Sequence, residues 1–357
     1  MTVVAKNLDN PRKLFVAPDG ALYVAEAGIG GSDKCFGTGP NAVCVGRSGA
    51  VTRIANGVQR RVVTGLVSWA GVSGARALGP AAVLVRRGAY DVLLDDDTVR
   101  PDGTNDLGPA GATAGDLIST RGRPAKTKVI ADFAAFEAAH NPDRGAGPGA
   151  KLGNAPIDSD PYAMVPYRGG VAVVDAGAND LLWLKPTGEI SVLAVFPTQV
   201  EKLTKADRRR IGAPPAMTSL PVQSVPSCVT VGPDGALYVG ELTARPFIPR
   251  IARVWRVVPG KAPSVYASGF TNISDLAFSG KDLLVLEIAD KGLYDPTSRG
   301  ALIRVAPDGT RAVVAGAGLL YPTGLAVGAN AIFISNNGVF PGQGPGRHGQ
   351  VVRLETP

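Results

Sequence analysis

The chain has 357 residues, 46 of them glycine and 29 proline, so about one residue in five breaks helices and punctuates turns, which argues against an α-rich protein. With 45% hydrophobic and 19% charged residues, it can build a large core and is too poorly charged for a disordered polyelectrolyte. The 37 Lys and Arg against 30 Asp and Glu leave a net +7, but the basic residues are not interleaved with aromatics, and no run of about eighteen apolar residues could span a membrane as a helix. Neither a nucleic-acid partner nor a membrane span is expected.

The N-terminus (MTVVAKNLDNPRK) lacks the apolar region of a signal peptide. Residues 2–5 (TVVA), followed by NLDNPRKL, have the layout of an outermost strand and its exit. Residues 14–26 (LFVAPDGALYVAE) form two strands around a Pro-Asp-Gly turn. The Gly-rich loop 28–49 holds Cys35 and Cys44, nine apart, whereas metal-binding pairs are separated by about two to four residues. A disulfide closing a small loop is the more natural reading; two reduced thiols in a cytosolic protein are the alternative. A disulfide implies an oxidising compartment, hence a secreted or periplasmic protein whose leader has been trimmed, and otherwise a cytoplasmic one.

Residues 50–54 (AVTRI) and 59–63 (QRRVV) add two further strands, and 82–95 (AVLVRRGAYDVLLD) is a degenerate copy of the first hairpin. An insertion over 97–151 follows, with a helix expected over 130–139 (IADFAAFEAA) before His140. The hairpin returns at 163–175 (AMVPYRGGVAVVD), with strands at 181–184 and 191–195. A second insertion, 199–223, carries a basic helix over 202–210 (KLTKADRRR), read as a solvated face. The remaining copies are 229–241 (VTVGPDGALYVGE), 276–287 (LAFSGKDLLVLE) and 325–336 (LAVGANAIFISN), followed by strands at 254–258, 264–267, 301–305, 311–315 and 351–354.

Four strands per unit, six units, and spacings of 46 from Glu241 to Glu287 and 49 from Glu287 to Asn336 predict an all-β fold, a six-bladed β-propeller of four-stranded blades. The whole chain, 1–357, is then one domain, with the N-terminal strand closing the last blade and removing a free sheet edge. The two insertions and the 28–49 loop become walls of one rim.

The repeats place Glu26, Asp95, Asp175, Glu241, Glu287 and Asn336 at equivalent strand ends. Five carboxylates and an amide around an axis would call for a cation, either a metal or a positively charged ligand group. Oxygen ligands without His or Cys favour Ca²⁺, with Asn179, Asp180 and Asn337 just beyond the strand ends as further candidates. The opposing reading has these acids capping strand ends and pairing with Arg or backbone amides. Other constellations fail: residues 71–75 read GVSGA, with Ala where a nucleophile elbow needs its second Gly, and the glycines at 28–31 lack the rest of a dinucleotide fingerprint. No nucleotide or flavin is expected. With only His140 and His348, both in loops, a Ser-His-Asp triad is improbable.

On NLDNPR (7–12), PDGALYVAEAG (18–28), DSDPYA (158–163), VVDAGANDLL (173–182), PDGALYVGELT (233–243), GFTNISDLAF (269–278) and ISNNG (334–338), the chain resembles the ScyD/ScyE family of bacterial β-propeller proteins from the scytonemin gene cluster. The resemblance spans essentially the whole chain and implies an exported propeller without a firmly assigned reaction. Position 241 departs from that family, being Glu where Gln is usual. More distantly the layout is similar to gluconolactonase (SMP-30) and strictosidine-synthase-like propellers, in the former of which axial Glu, Asn and Asp hold Ca²⁺.

The expectation is a monomer binding a small molecule, such as a secondary metabolite, at an acid-lined axial rim formed by Glu26, Asp175, Glu241, Glu287 and Asn336, with or without Ca²⁺. The enzymatic version is a Ca²⁺-dependent hydrolase, lactonase-like or lyase-type, with Glu241 or Glu287 as general base. The third reading is a non-catalytic rim that binds a peptide or protein.

Overall fold

The computed structural model describes residues 1–71, 74–86, 88–96, 105–121, 126–144, 157–339 and 348–355. It is a six-bladed β-propeller. From axis to periphery, blade 1 runs Pro11–Val16, Leu22–Glu26, Val43–Ala55 and Val58–Gly71; blade 2 runs Pro80–Arg86, Ala89–Leu94, Asp116–Arg121 and Lys126–Asp132. Blade 3 is Pro161–Tyr167, Gly170–Asp175, Asp180–Leu184 and Ile190–Val195; blade 4 is Pro226–Val231, Leu237–Glu241, Ala252–Val257 and Ser264–Phe270. Blade 5 is Ile273–Ser279, Asp282–Glu287, Ala301–Val305 and Arg311–Ala315. Blade 6 joins Gly324–Val327, Ala331–Asn336 and Gly349–Glu355 to the N-terminal Thr2–Leu8. Each inner strand touches the inner strands of both neighbours, and that of blade 6 returns to that of blade 1, so the ring closes as expected.

The strands are apolar on both faces because each blade is packed between two others. The period of two assigns alternate residues to alternate interfaces. In blade 3, Val173 and Leu182 pack with Leu93 and Leu117 of blade 2, while their neighbours Val174 and Leu181 pack with Val239 and Trp255 of blade 4. In blade 5, Val285 faces blade 4 with Phe270, and Leu286 faces blade 6 with Ile332 and Val352. The core is thus six layers between blades rather than one centre.

The Pro-Asp-Gly turns work as their chemistry requires. Gly20, Gly235 and Gly309 have φ of 81°, 76° and 85°, and Asp19, Asp234 and Asp308 each accept the N–H two residues on through their own carboxylate. The first two join a blade's inner strands, whereas the third joins the outer pair of blade 5.

Two expectations change. Much of the 97–151 segment is the outer half of blade 2, not an insertion, and the helix begins at Phe133 rather than 130. The β-branched Val129 and Ile130 extend the strand, and Asp132 caps the helix by accepting the Ala135 N–H at 2.8 Å. The parts of that segment at 97–104, 122–125 and 145–151 lie outside the described residues, as does Ser73. The 199–223 segment is a hairpin, Gln199–Lys202 with Ser219–Val222, around the expected basic helix, Lys205–Ile211. Thr204 and Asp207 form a capping box there and Gly212 ends it with φ 66°. Cys35 and Cys44 are paired across two strands as a disulfide, which bears out the expected bond. Among the described residues no helix is long and apolar enough to cross a membrane.

Deleting residues 1–8 is expected to abolish the single cooperative thermal transition, because it exposes the blade 6 edge and removes the buried Ala5 and Leu8. Circular dichroism melting checks this; an unchanged midpoint would show that the ring does not depend on this closure.

Candidate functional site

Chain direction sorts the loops by face. Links from a blade's second to third strand, and from its outer strand to the next blade, emerge together with the N-terminal ends of the inner strands. The disulfide loop, helix Phe133–His140, the basic hairpin and the segments 242–251 and 288–300 therefore share one face. The short hairpin turns occupy the other.

The six strand-end residues stand on the loop face, each turned into its own blade, where it holds the segment leading into the inner strand. Glu26 accepts the Asp9 N–H at 2.7 Å and is held by Arg61, which also contacts Asp9, both at 2.6 Å. Asp95 accepts the Gly79 N–H. Asp175 accepts the N–H groups of Asp160, Gly177 and Ala178 and the Ser159 hydroxyl, at 2.6–3.1 Å. Glu241 takes the Ser224 hydroxyl, the Arg253 N–H and the Trp255 indole at 3.0, 2.8 and 2.6 Å. Glu287 accepts the Thr271 N–H at 2.7 Å, and Asn336 accepts that of Leu320 while donating to Gly318 O. In these bonds Glu26, Asp175, Glu241, Glu287 and Asn336 each serve their own blade. Among the described residues no three His, Cys, Asp or Glu side chains are grouped to hold a metal ion. Arg61 pairs with Glu26 and Arg253 with Glu241, while neutral backbone N–H groups serve Asp175 and Glu287.

What meets at the axis was not visible in the strand-end pattern. Lys13 of blade 1 reaches across to blade 5, where its ammonium donates to Ser274 O and lies 3.4 Å from Asp275 Oδ1. The ring of Tyr162, from blade 3, is 5.3 Å from the same nitrogen. Three non-adjacent blades are tied by one cation. Lys13, Tyr162 and Ser274 all lie where the register between first and second strands shifts, between Pro11 and Leu14, Pro161 and Ala163, and Ile273 and Asp275. Such a bulge turns a side chain out of the blade, and the apolar alternation interrupted by Arg12-Lys13 was the available signal. On the hairpin-turn side of this knot the channel widens into a cavity of about 320 Å³ lined by the six inner strands.

On the loop face, polar side chains at the entries to the inner strands tie the rim loops to the blades. Arg12 clamps three blades by donating to Gly338 O and Ala77 O. Asn10 and Asn272 occupy matching places ahead of blades 1 and 5, both with left-handed backbone (φ 52° and 47°). Their amide nitrogens hold rim loops, Asn10 to Gly28 O and Gly74 O, Asn272 to Leu242 O. Among the described residues their Oδ1 atoms and Arg12 Nε are buried without a partner. Asn272-Ile273-Ser274 matches the N-glycosylation sequon, but Asn272 is buried in the folded chain.

Burial pushes Glu287 up to about 7. Glu241 is also raised by burial, countered by its Trp255 and Arg253 contacts. A second acidic region lies off axis around the helix, where burial and neighbouring carboxylates raise Asp116 to about 7 and Glu137 to about 8 and push Asp180 well up. His140 is exposed, stacked on Phe136 at 4.3 Å with Nδ1 2.9 Å from Phe136 O, which is a helix-end role.

No family model and no curated protein matches the chain. Among solved structures it is similar to the PQQ-bound aldose sugar dehydrogenase of Streptomyces coelicolor, at 11% identity and TM-score 0.54 over 99% of this chain and 96% of that one. It is also similar to a candidate oxidoreductase (glucose dehydrogenase) of Thermus thermophilus, at 17% identity and 0.52 over 99% and 98%. A candidate gluconolactonase follows at 9% and 0.52 over 99% and 92%. At such identities the likeness carries the propeller fold alone.

Two outcomes follow. Lys13→Met is expected to cost about 3–5 kcal/mol by leaving the Asp275 charge buried without its cation, and Lys13→Met with Asp275→Asn, which keeps an acceptor for the Leu325 N–H, to recover much of it; equal melting of the single and double variants would contradict the knot. Asp116, Glu137 and Glu287 have folded values above their ordinary 3.8 and 4.5, so the folded state holds more protons over roughly pH 5–8. Their contribution to stability is present below that window and lost as pH rises through about 7–8, so the melting temperature should fall from about pH 5.5 to about pH 8.5. A rising profile would count against these buried acids.

Proposed function

We propose that this propeller binds a small molecule on the loop face, over the axial mouth, in the manner expected of a ScyD/ScyE-like protein handling a secondary metabolite. One observation carries the reading: Asn10 Oδ1, Asn272 Oδ1 and Arg12 Nε, at the loop-face entries to the inner strands of blades 1 and 5, are buried without partners among the described residues, and unmet buried polar atoms are costly unless a ligand or water completes them. The rim loops supply walls, and the Lys13 knot supplies a closed, charged floor. The ligand chemistry that fits is polar, with a donor toward the Asn acceptors and an acceptor toward Arg12. A thermal-shift panel of sugar lactones, phenolic metabolites and amino-acid derivatives tests it. A stabilising compound should lose at least about tenfold in affinity in Asn272→Ala. A ligand bound equally well by Asn10→Ala and Asn272→Ala would overturn the assignment.

A hydrolytic, lactonase-like activity is the second reading, favoured by Glu287 alone. Its single hydrogen bond among the described residues and its value near 7 suit a general base, whereas Glu241 is held by three donors. If lactone or ester hydrolysis is found, Glu287→Gln should lower kcat by about a hundredfold or more, and Glu241→Gln should act mainly on stability. Unchanged kcat in Glu287→Gln would remove the base.

A further inference from the structure

We propose that the buried corner between helix Phe133–His140 and blade 3 is a cation site, with the Asp180 and Glu137 carboxylates as its protein ligands and a hard divalent ion, Mg²⁺ or Ca²⁺, as occupant. It lies off the axis and is independent of the binding reading above.

The residues arrive there by separate routes. Asp180 opens the third strand of blade 3 and stands directly opposite Asp175 in the antiparallel ladder. Glu137 comes from the second turn of the helix, whose Phe133 is anchored among Leu93, Leu117 and Val171 between blades 2 and 3. Asp180 is 0% and Glu137 2% exposed. Among the described residues, both Asp180 carboxylate oxygens and Glu137 Oε2 are buried without a hydrogen-bond partner. This sets Asp180 apart from Asp175 beside it, whose oxygens take four donors.

The charges felt at Asp180 come from Asp175, Glu137 and Asp143, and those felt at Glu137 from Asp175, Asp143 and Asp158. These contributors are all acids. Desolvating such carboxylates is tolerated only if the charge is met. The candidates are a proton shared between them or a cation. Oxygen-only donors select hard ions, and Mg²⁺ is held through one or two carboxylates with water completing its octahedron. The bound ion would pin the helix to blade 3 and so fix one wall of the loop face.

The full-length protein is treated with chelator and dialysed, then titrated with MgCl₂ or CaCl₂, with KCl at matched ionic strength as control. Binding is read by isothermal titration calorimetry, and the melting temperature alongside. The expected result is one equivalent of Mg²⁺ or Ca²⁺ bound and a melting temperature raised by several degrees at saturation. Asp180→Asn and Glu137→Gln should each weaken binding at least about tenfold, and metal-free Asp180→Asn should melt no lower than metal-free wild type, since the unpaired carboxylate is gone. Asp308→Asn, on an exposed turn, should bind as wild type does. Should one corner variant fail to fold, the other carries the test. Absence of binding to the wild type, with stability following pH alone, would assign the corner to a shared proton and overturn the proposal, as would binding undiminished in both corner variants.

Discussion

A carboxylate at the end of the second strand, buried and satisfied inside its own blade, is the constraint on which this propeller depends. Each blade must turn from its neighbour's periphery to the axis, and the backbone making that turn is too buried to be satisfied by water. Glu26, Asp95, Asp175, Glu241, Glu287 and Asn336 each accept a bond from that incoming segment. A carboxyl group can accept several such bonds at once, and Arg61 lies against Glu26 and Arg253 against Glu241. The recurrence of acids is therefore a consequence of six equal folding problems.

The same residues show how much of the molecule was legible beforehand. Blade number, strand count and closure by the N-terminal strand all follow from period-two apolar runs punctuated by Pro-Asp-Gly and Asx-Gly turns, whose demands are local. Blade 2 was obscured because its outer strands, Asp116–Arg121 and Lys126–Asp132, lie far along the chain from its hairpin, and alternation was lost among loops. The disulfide was readable from spacing and is a cross-strand pair. Which way a strand-end side chain points was not readable, since it depends on a segment well upstream, as Glu287 does on Thr271. Lys13, Tyr162 and Asp275 were missed for a related reason. A bulge is a register property of two strands, and only the assembled ring shows that three separate bulges converge.

The axial ammonium also changes the meaning of a cation in this architecture. An acid-rich strand-end pattern suggests an ion from solution, yet at the axis the chain provides its own, tethered from blade 1 and held by blade 5. A tethered cation cannot be lost by dilution or chelation. It also divides the axis into two compartments of different character. The hairpin-turn side is lined mainly by inner-strand aliphatic residues, whereas Asn10, Arg12 and Asn272, at the entries to the inner strands of blades 1 and 5, keep polar atoms that are buried without a partner among the described residues.

The net +7 of the chain is thus a poor guide to local potential. Basic residues are either exposed, as on helix Lys205–Ile211, or consumed within blades, as Lys13, Arg12 and Arg61 are. Carboxylates accumulate where blades 2 and 3 meet the rim helix, and there Asp116, Glu137 and Asp180 are all raised above the ordinary carboxylate range. A surplus of buried acid in one corner of the ring calls for a use, because each such group lowers stability at neutral pH. In the other five clasps a single acceptor suffices to hold the chain. Among the described residues blade 3 alone places a second carboxylate, Asp180, directly opposite the first in the ladder, and that duplication is what separates a structural clasp from a site with capacity for something more.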